Sequence, residues 1–224
     1  QGFLPPGRSP HQASKMVRLG PDATPEALPC GAVLVGEGDR CLKIGFLDVV
    51  VYRLGLYLDA EAARRELSHF ASYSATEMCS HRSFFEQLVC GRFRKTLRLA
   101  FSRQMPASQL RPGIRAGLVS RTCADSTGLI DRFLEAIPDV NPQDVLLITL
   151  LEDGEGIEVA REGRPAHLEL NSGDIWLGLQ RVYFDARTEM PALRLAAVQR
   201  IPEKLFGTEC SSLDGRQVSD ISNS

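Results

Sequence analysis

The sequence lacks what a metal centre or a redox site would need. Its six cysteines stand at 30, 41, 79, 90, 123 and 210 with no CxxC pair, and its four histidines, at 11, 69, 81 and 167, are scattered. No His lies at ligand spacing from a Cys, so no metal site is expected, and nothing calls for a cofactor. The cysteines read as reduced, small apolar residues, as in a reducing compartment. Long apolar runs are missing too. The longest, "VLLITLL" at 145–151, is of strand length, against the ~20 residues of a membrane-spanning helix. Charge of one sign is not in excess: 26 Lys and Arg against 28 Asp and Glu give a net charge of −2. That balance supplies no basic field for nucleic acid.

Two local absences mark the ends. Residues 1–20, "QGFLPPGRSPHQASKMVRLG", hold no Asp or Glu but carry Arg8, Lys15 and Arg18. An acid-free start of this kind looks like the remnant of an organellar transit peptide, chloroplast ahead of mitochondrion. From Gly207 onward the chain is polar and aperiodic, as a tail would be. The expected organisation is a flexible segment at 1–27, one domain at 28–206 and a tail at 207–224.

What is present is ordinary globular composition, 43% hydrophobic and 24% charged, in strand and helix patterns. "GAVLVGEG" (31–38) reads as a strand broken at Gly36 and Gly38. "CLKIGF" and "LDVVVYRLGLYL" follow as a hairpin turning near Gly45 to Asp48. Asp59 is placed to cap a helix over 60–72, and a second helix covers Ser83 to Val89. "KTLRLAFS" alternates, with Leu97, Leu99 and Phe101 facing in and Thr96, Arg98 and Ala100 facing out. Helices are expected from Pro106 through Leu118 and over 129–137. A meander follows at 144–152, 156–160 and 165–170, then a helix capped by Ser172 and a last one over 190–201. Strands without βαβ alternation predict an α+β fold, an antiparallel sheet with a helical layer on one face.

Three stretches, in order, carry a family resemblance. "LVGEGDRCLKIGFLDVVVYRLGLYLD" has a Gly-x-Gly-x-Arg turn, a Lys and a Val-Tyr-x-x-Gly-Leu-Tyr-Leu strand. "KTLRLAFSRQMPASQLRPGI" supplies a strand and helix. "DVLLITLLEDGEGIEVAREGRPAHLELNSGDIWLGLQRVYFD" supplies a meander and an amphipathic helix. Together they resemble the chalcone-isomerase-like proteins from about residue 28 to 200. The resemblance implies an open-faced β-sandwich, a large antiparallel sheet and a helical layer with a ligand cleft between them. That family holds flavonoid-forming isomerases, plastid fatty-acid-binding proteins, and bacterial or organellar relatives, so fold does not settle function.

The resemblance also points to residues. Arg40 matches the family arginine that reaches into the cleft, and guanidinium holds a carboxylate bidentately. Tyr52, whose ring would pack against Val50 and Leu54, matches a position where isomerases carry Thr and the fatty-acid-binding branch carries Tyr. The isomerases also place a catalytic Tyr and an Asn in the next helix. Here no Tyr stands between Tyr73 and Tyr183, and no Asn before Asn141. Ser108, Gln109, Arg111 and Arg115 are the polar residues on offer, so no catalytic residue is assigned. Lys43 would add positive field to the cleft, and Trp176 and Tyr183 would line its distal part. Asp48 and Arg53 lie on opposite faces of their strand, so they do not pair within it. The reading is a non-catalytic binder of a fatty acid or similar amphipathic anion, with Arg40, Tyr52, Lys43 and Trp176 as ligand-binding residues. The alternatives are a structural subunit of an organellar complex, a photosystem or respiratory assembly, and a chalcone-isomerase-type intramolecular lyase.

Overall fold

The structure, a computed structural model, describes residues 24–207 except 45, 186, 187 and 189, and the backbone alone at 43, 44 and 47. The sequence-predicted segment 1–27 and tail 207–224 fall almost wholly outside the described residues. One antiparallel sheet of six strands runs in sequence order: β1 (Val33–Ile44), β2 (Leu47–Leu58), β3 (Lys95–Phe101), β4 (Val145–Leu150), β5 (Gly156–Arg161) and β6 (Ala166–Asn171). Helices α1 (Ala60–Glu66), α2 (Ala75–Ser80) and α3 (Arg82–Cys90) join β2 to β3. Helices α4 (Ala107–Val119) and α5 (Thr127–Glu135) join β3 to β4, and α6 (Gly173–Phe184) and α7 (Pro191–Ile201) follow β6.

Period-two alternation puts Leu54, Leu56 and Leu58 of β2, Leu97, Leu99 and Phe101 of β3, and Leu146, Ile148 and Leu150 of β4 on one buried face. The buried stripes of the helices join them in a single core. Two helix starts follow sequence-legible caps. The Asp59 carboxylate accepts from the Ala62 amide at 2.9 Å, and the Ser172 hydroxyl accepts from Ile175 at 3.4 Å.

Three expectations are corrected. The helix expected over 60–72 ends at Glu66 and gives way to a 3-10 turn, Ser68–Phe70. The first strand is not broken at its glycines: β1 runs unbroken from Val33 to Ile44. Gly36 and Gly38 lie opposite Leu56 and Leu54 on the core face, and α7 lies directly on them. A Cβ on Gly36 would stand 3.1 Å from the Ala197 amide nitrogen, and one on Gly38 3.0 Å from that of Leu193. These glycines are contact points for a helix backbone. The third correction concerns β3, whose outward residues Thr96 and Ala100 are 3% and 2% exposed. Thr96 meets Thr149 at 3.2 Å. The segment before β1 also folds back over this face of the sheet: Tyr57 donates to the Pro25 carbonyl at 2.7 Å and clusters with Leu28, Ala32 and Leu34. Arg53, on the same outward face, pairs with Asp39 across β1 at 2.9 Å.

Candidate functional site

A cavity opens at one end of the sheet, between the core face of β1–β4 and helices α4 and α6. Its volume is about 100 Å³. Its floor is one cross-strand row: Arg40 lies opposite Tyr52, and Tyr52 opposite Phe101, whose ring it meets edge-on at 5.5 Å. Directly opposed residues of an antiparallel pair point to the same face, with Cα atoms about 4.5–5.5 Å apart. Arg40 and Tyr52 are therefore neighbours by construction.

A bulge shapes this floor. Between Arg40 and Cys41 the register slips, so that Val51 has no partner on β1. A bulge lets two successive residues approach one face. Val51 and Tyr52 both line the cavity, and Val51 takes the place expected for Val50. Upstream of the bulge, α7 covers β1 at Gly36 and Gly38. Two residues further on, past the start of that helix, Arg40 emerges half-buried.

Among the described residues lining the cavity, Arg40 carries the only formal charge. Tyr52, Gln109 and Tyr183 are its polar companions, and Leu, Ile, Val, Met and Phe supply nearly all the rest. A cation beside an apolar space suits an anion with an apolar body. The roof is thin at Gly113, where a Cβ would have no atom within 4 Å. The other polar residues of α4 serve the fold. Arg111 donates to the carbonyls of Ile137 at 2.9 Å and Glu135 at 3.2 Å, Arg115 pairs with Asp131, and Ser108 is exposed.

Of the sequence-predicted ligand residues, Arg40 and Tyr52 come together on the cavity. The Lys43 side chain lies outside the described residues; its backbone sits opposite Asp48 near the hairpin turn. Trp176 is not among the residues lining the cavity: it is buried, its indole N–H donating to the Leu151 carbonyl at 3.0 Å. Tyr183, seven residues later on α6, does line the cavity. At 1.5 Å per residue that separation is about 10 Å along the helix, enough to put the two aromatics at different ends of the core.

Trp176 instead covers a group that sequence reasoning passed over. Lys95 is 2% exposed, and its Nζ donates to the Gly91 carbonyl at 2.6 Å. The Phe93 and Trp176 ring centroids stand 4.1 and 4.6 Å from it. Burial pulls its pKa down to about 7. The signal was there to be read, since Lys95 is in phase with Leu97, Leu99 and Phe101 and so must face the core.

No family model matches the sequence, and no curated protein matches it significantly. Among solved structures, a fatty-acid binding protein of Arabidopsis thaliana matches with a TM-score of 0.72 over 82% of this chain and 94% of that one, at 18% identity. The fold is chalcone-isomerase-like. Within the chalcone-isomerase-like fold, the cavity lies where the resemblance placed the cleft, between the large sheet and the helical layer. Among the described residues, no helix is long and apolar enough to cross a membrane.

Proposed function

We propose that the protein binds a fatty acid or similar amphipathic carboxylate and does not transform it. One observation carries this: Arg40, the formally charged residue among the described residues of the cavity lining, stands across the hairpin from Tyr52 at the edge of an apolar space. Guanidinium and phenol can donate to one carboxylate, and the acyl chain replaces water against apolar walls at about 0.8 kcal/mol per methylene. The fatty-acid binding protein of the same fold supports the reading. The isomerase alternative loses ground on α4, whose cavity-lining residues Gln109, Leu110, Gly113 and Ile114 include no phenol to orient water and polarise a ketone. An organellar address goes with this proposal and rests on residues 1–20; imaging the tagged full chain in plant cells checks it.

The test is a pair of titrations into delipidated protein, decanoate against decanol. The acid should bind at least tenfold more tightly than the alcohol, because a charge-assisted hydrogen bond contributes about 1.5–3 kcal/mol. Equal affinities would remove the role of Arg40 and the reading with it.

A further inference from the structure

The carboxylate reading leaves ligand length open, and two boundaries of the cavity set it. The lining spans four adjacent strands, from Arg40 on β1 to Leu146 on β4. Three inter-strand steps of about 4.8 Å give a run of about 14 Å, the length of an extended chain of about eleven carbons. The enclosed volume, about 100 Å³, supplies an independent figure. One water needs ~10–15 Å³ on that measure, so the space holds about seven to ten waters, and a methylene is of similar size.

The neighbouring row, Leu54–Leu99–Leu146, does not continue as apolar surface. Leu146 is directly opposed by Arg161 on β5. That guanidinium is held by Asp144 at 3.0 Å and by the Asp139 carbonyl at 2.9 Å. A tail pushed past Leu146 would meet a charge already engaged by two partners, and burying hydrocarbon against it would strip its remaining water. Leu179, one turn before Tyr183 and 1% exposed, bounds the space from the helix side.

We propose that the cavity selects a medium-chain monocarboxylate of about eight to ten carbons, carboxylate at Arg40 and methyl end against Leu146. This rests on the fatty-acid reading and sharpens it. The test is calorimetry of the even-numbered saturated acids from hexanoate to hexadecanoate, below their aggregation limits, on the delipidated full chain. Affinity should climb about fourfold per methylene up to about ten carbons and then stop climbing or fall. A climb that continues at that rate to hexadecanoate overturns the length assignment and leaves the carboxylate reading standing. No binding by any acid overturns both. Leu146→Ala should carry the break upward by two to three carbons. A folded Leu146→Ala chain with an unmoved break would show that Leu146 is not the stop. The wild-type series decides the length whether or not that variant folds.

Discussion

Lys95 and Arg40 both face the core side of this sheet, and they meet opposite fates. At one end Lys95 is sealed. Helix α3 ends beside it, where the Gly91 carbonyl accepts its hydrogen bond, and the Phe93 and Trp176 rings close over the rest. At the other end Arg40 stands half-buried on a bulged strand, on the lining of the cavity. A buried cation is tolerated where carbonyl dipoles and ring faces replace water. A cation that borders a cavity is placed to meet a ligand there. The difference between anchor and site thus lies in what the neighbouring helices cover, more than in residue type.

That contrast can be broken from either side. Arg40→Ala should have the largest effect on function, weakening fatty-acid binding by about 1.5–3 kcal/mol while leaving thermal stability unchanged. Calorimetry and melting curves on the same preparation separate the two; a large loss of stability would make Arg40 an anchor like Lys95.

Lys95 should behave in the opposite way. Its folded pKa of about 7 lies below the ordinary 10.5, so between those values the unfolded chain binds more protons. Stability therefore rises with pH through this window and is lost as pH falls toward 7. From pH 7 to about 9 the gain should be about 2 kcal/mol. Lys95→Met should flatten that rise in denaturant titrations and leave ligand affinity untouched. The range stops there because Tyr57, held up at about 12 by burial, works against stability once unfolded tyrosines ionise near pH ~10. An unchanged slope in the Met chain would mean that Lys95 is not the titrating group.

Tyr52→Phe should cost less, about 0.5–1.5 kcal/mol of binding, because one neutral donor is lost and the edge contact with Phe101 stays. A loss as large as that of Arg40→Ala would point to the phenol as the principal anion donor. The smallest expected effect is none: chalcone cyclisation in the presence of the protein should proceed at its spontaneous rate, followed by absorbance. Turnover abolished by Arg40→Ala would move the protein among the enzymes.

Much of the architecture was legible because alternation is a local signal. The strands β2 to β6 and the Asp59 and Ser172 caps follow from residues within a few positions of one another. What was missed depends on distant partners. Gly36 and Gly38 look like strand breakers until α7 arrives from more than 150 residues away to use their bare backbone. Thr96 looks outward until the segment around Pro25 and Leu28 folds over Tyr57, its cross-strand neighbour on that face. At the site, the pairing of Arg40 with Tyr52 required the hairpin register, and Val51 required the bulge. Trp176 and Tyr183 share a helix, and only their separation along it shows that one seals the core while the other borders the cavity.

The seat of α7 on β1 also sets an order of assembly. Arg200 reaches Glu37 at 3.3 Å beside the contacts at Gly36 and Gly38, so the strand that carries Arg40 is fastened by residues 191–201. During synthesis the chain emerges at about 5–20 residues per second, amino end first. The first strand must then wait, its glycine strip uncovered, while some 150 further residues are made. The pocket becomes competent only when nearly the whole domain exists. A nascent chain arrested before Pro191 should hold a paired hairpin with an open apolar flank, a target for chaperones before it is a receptor for anything else.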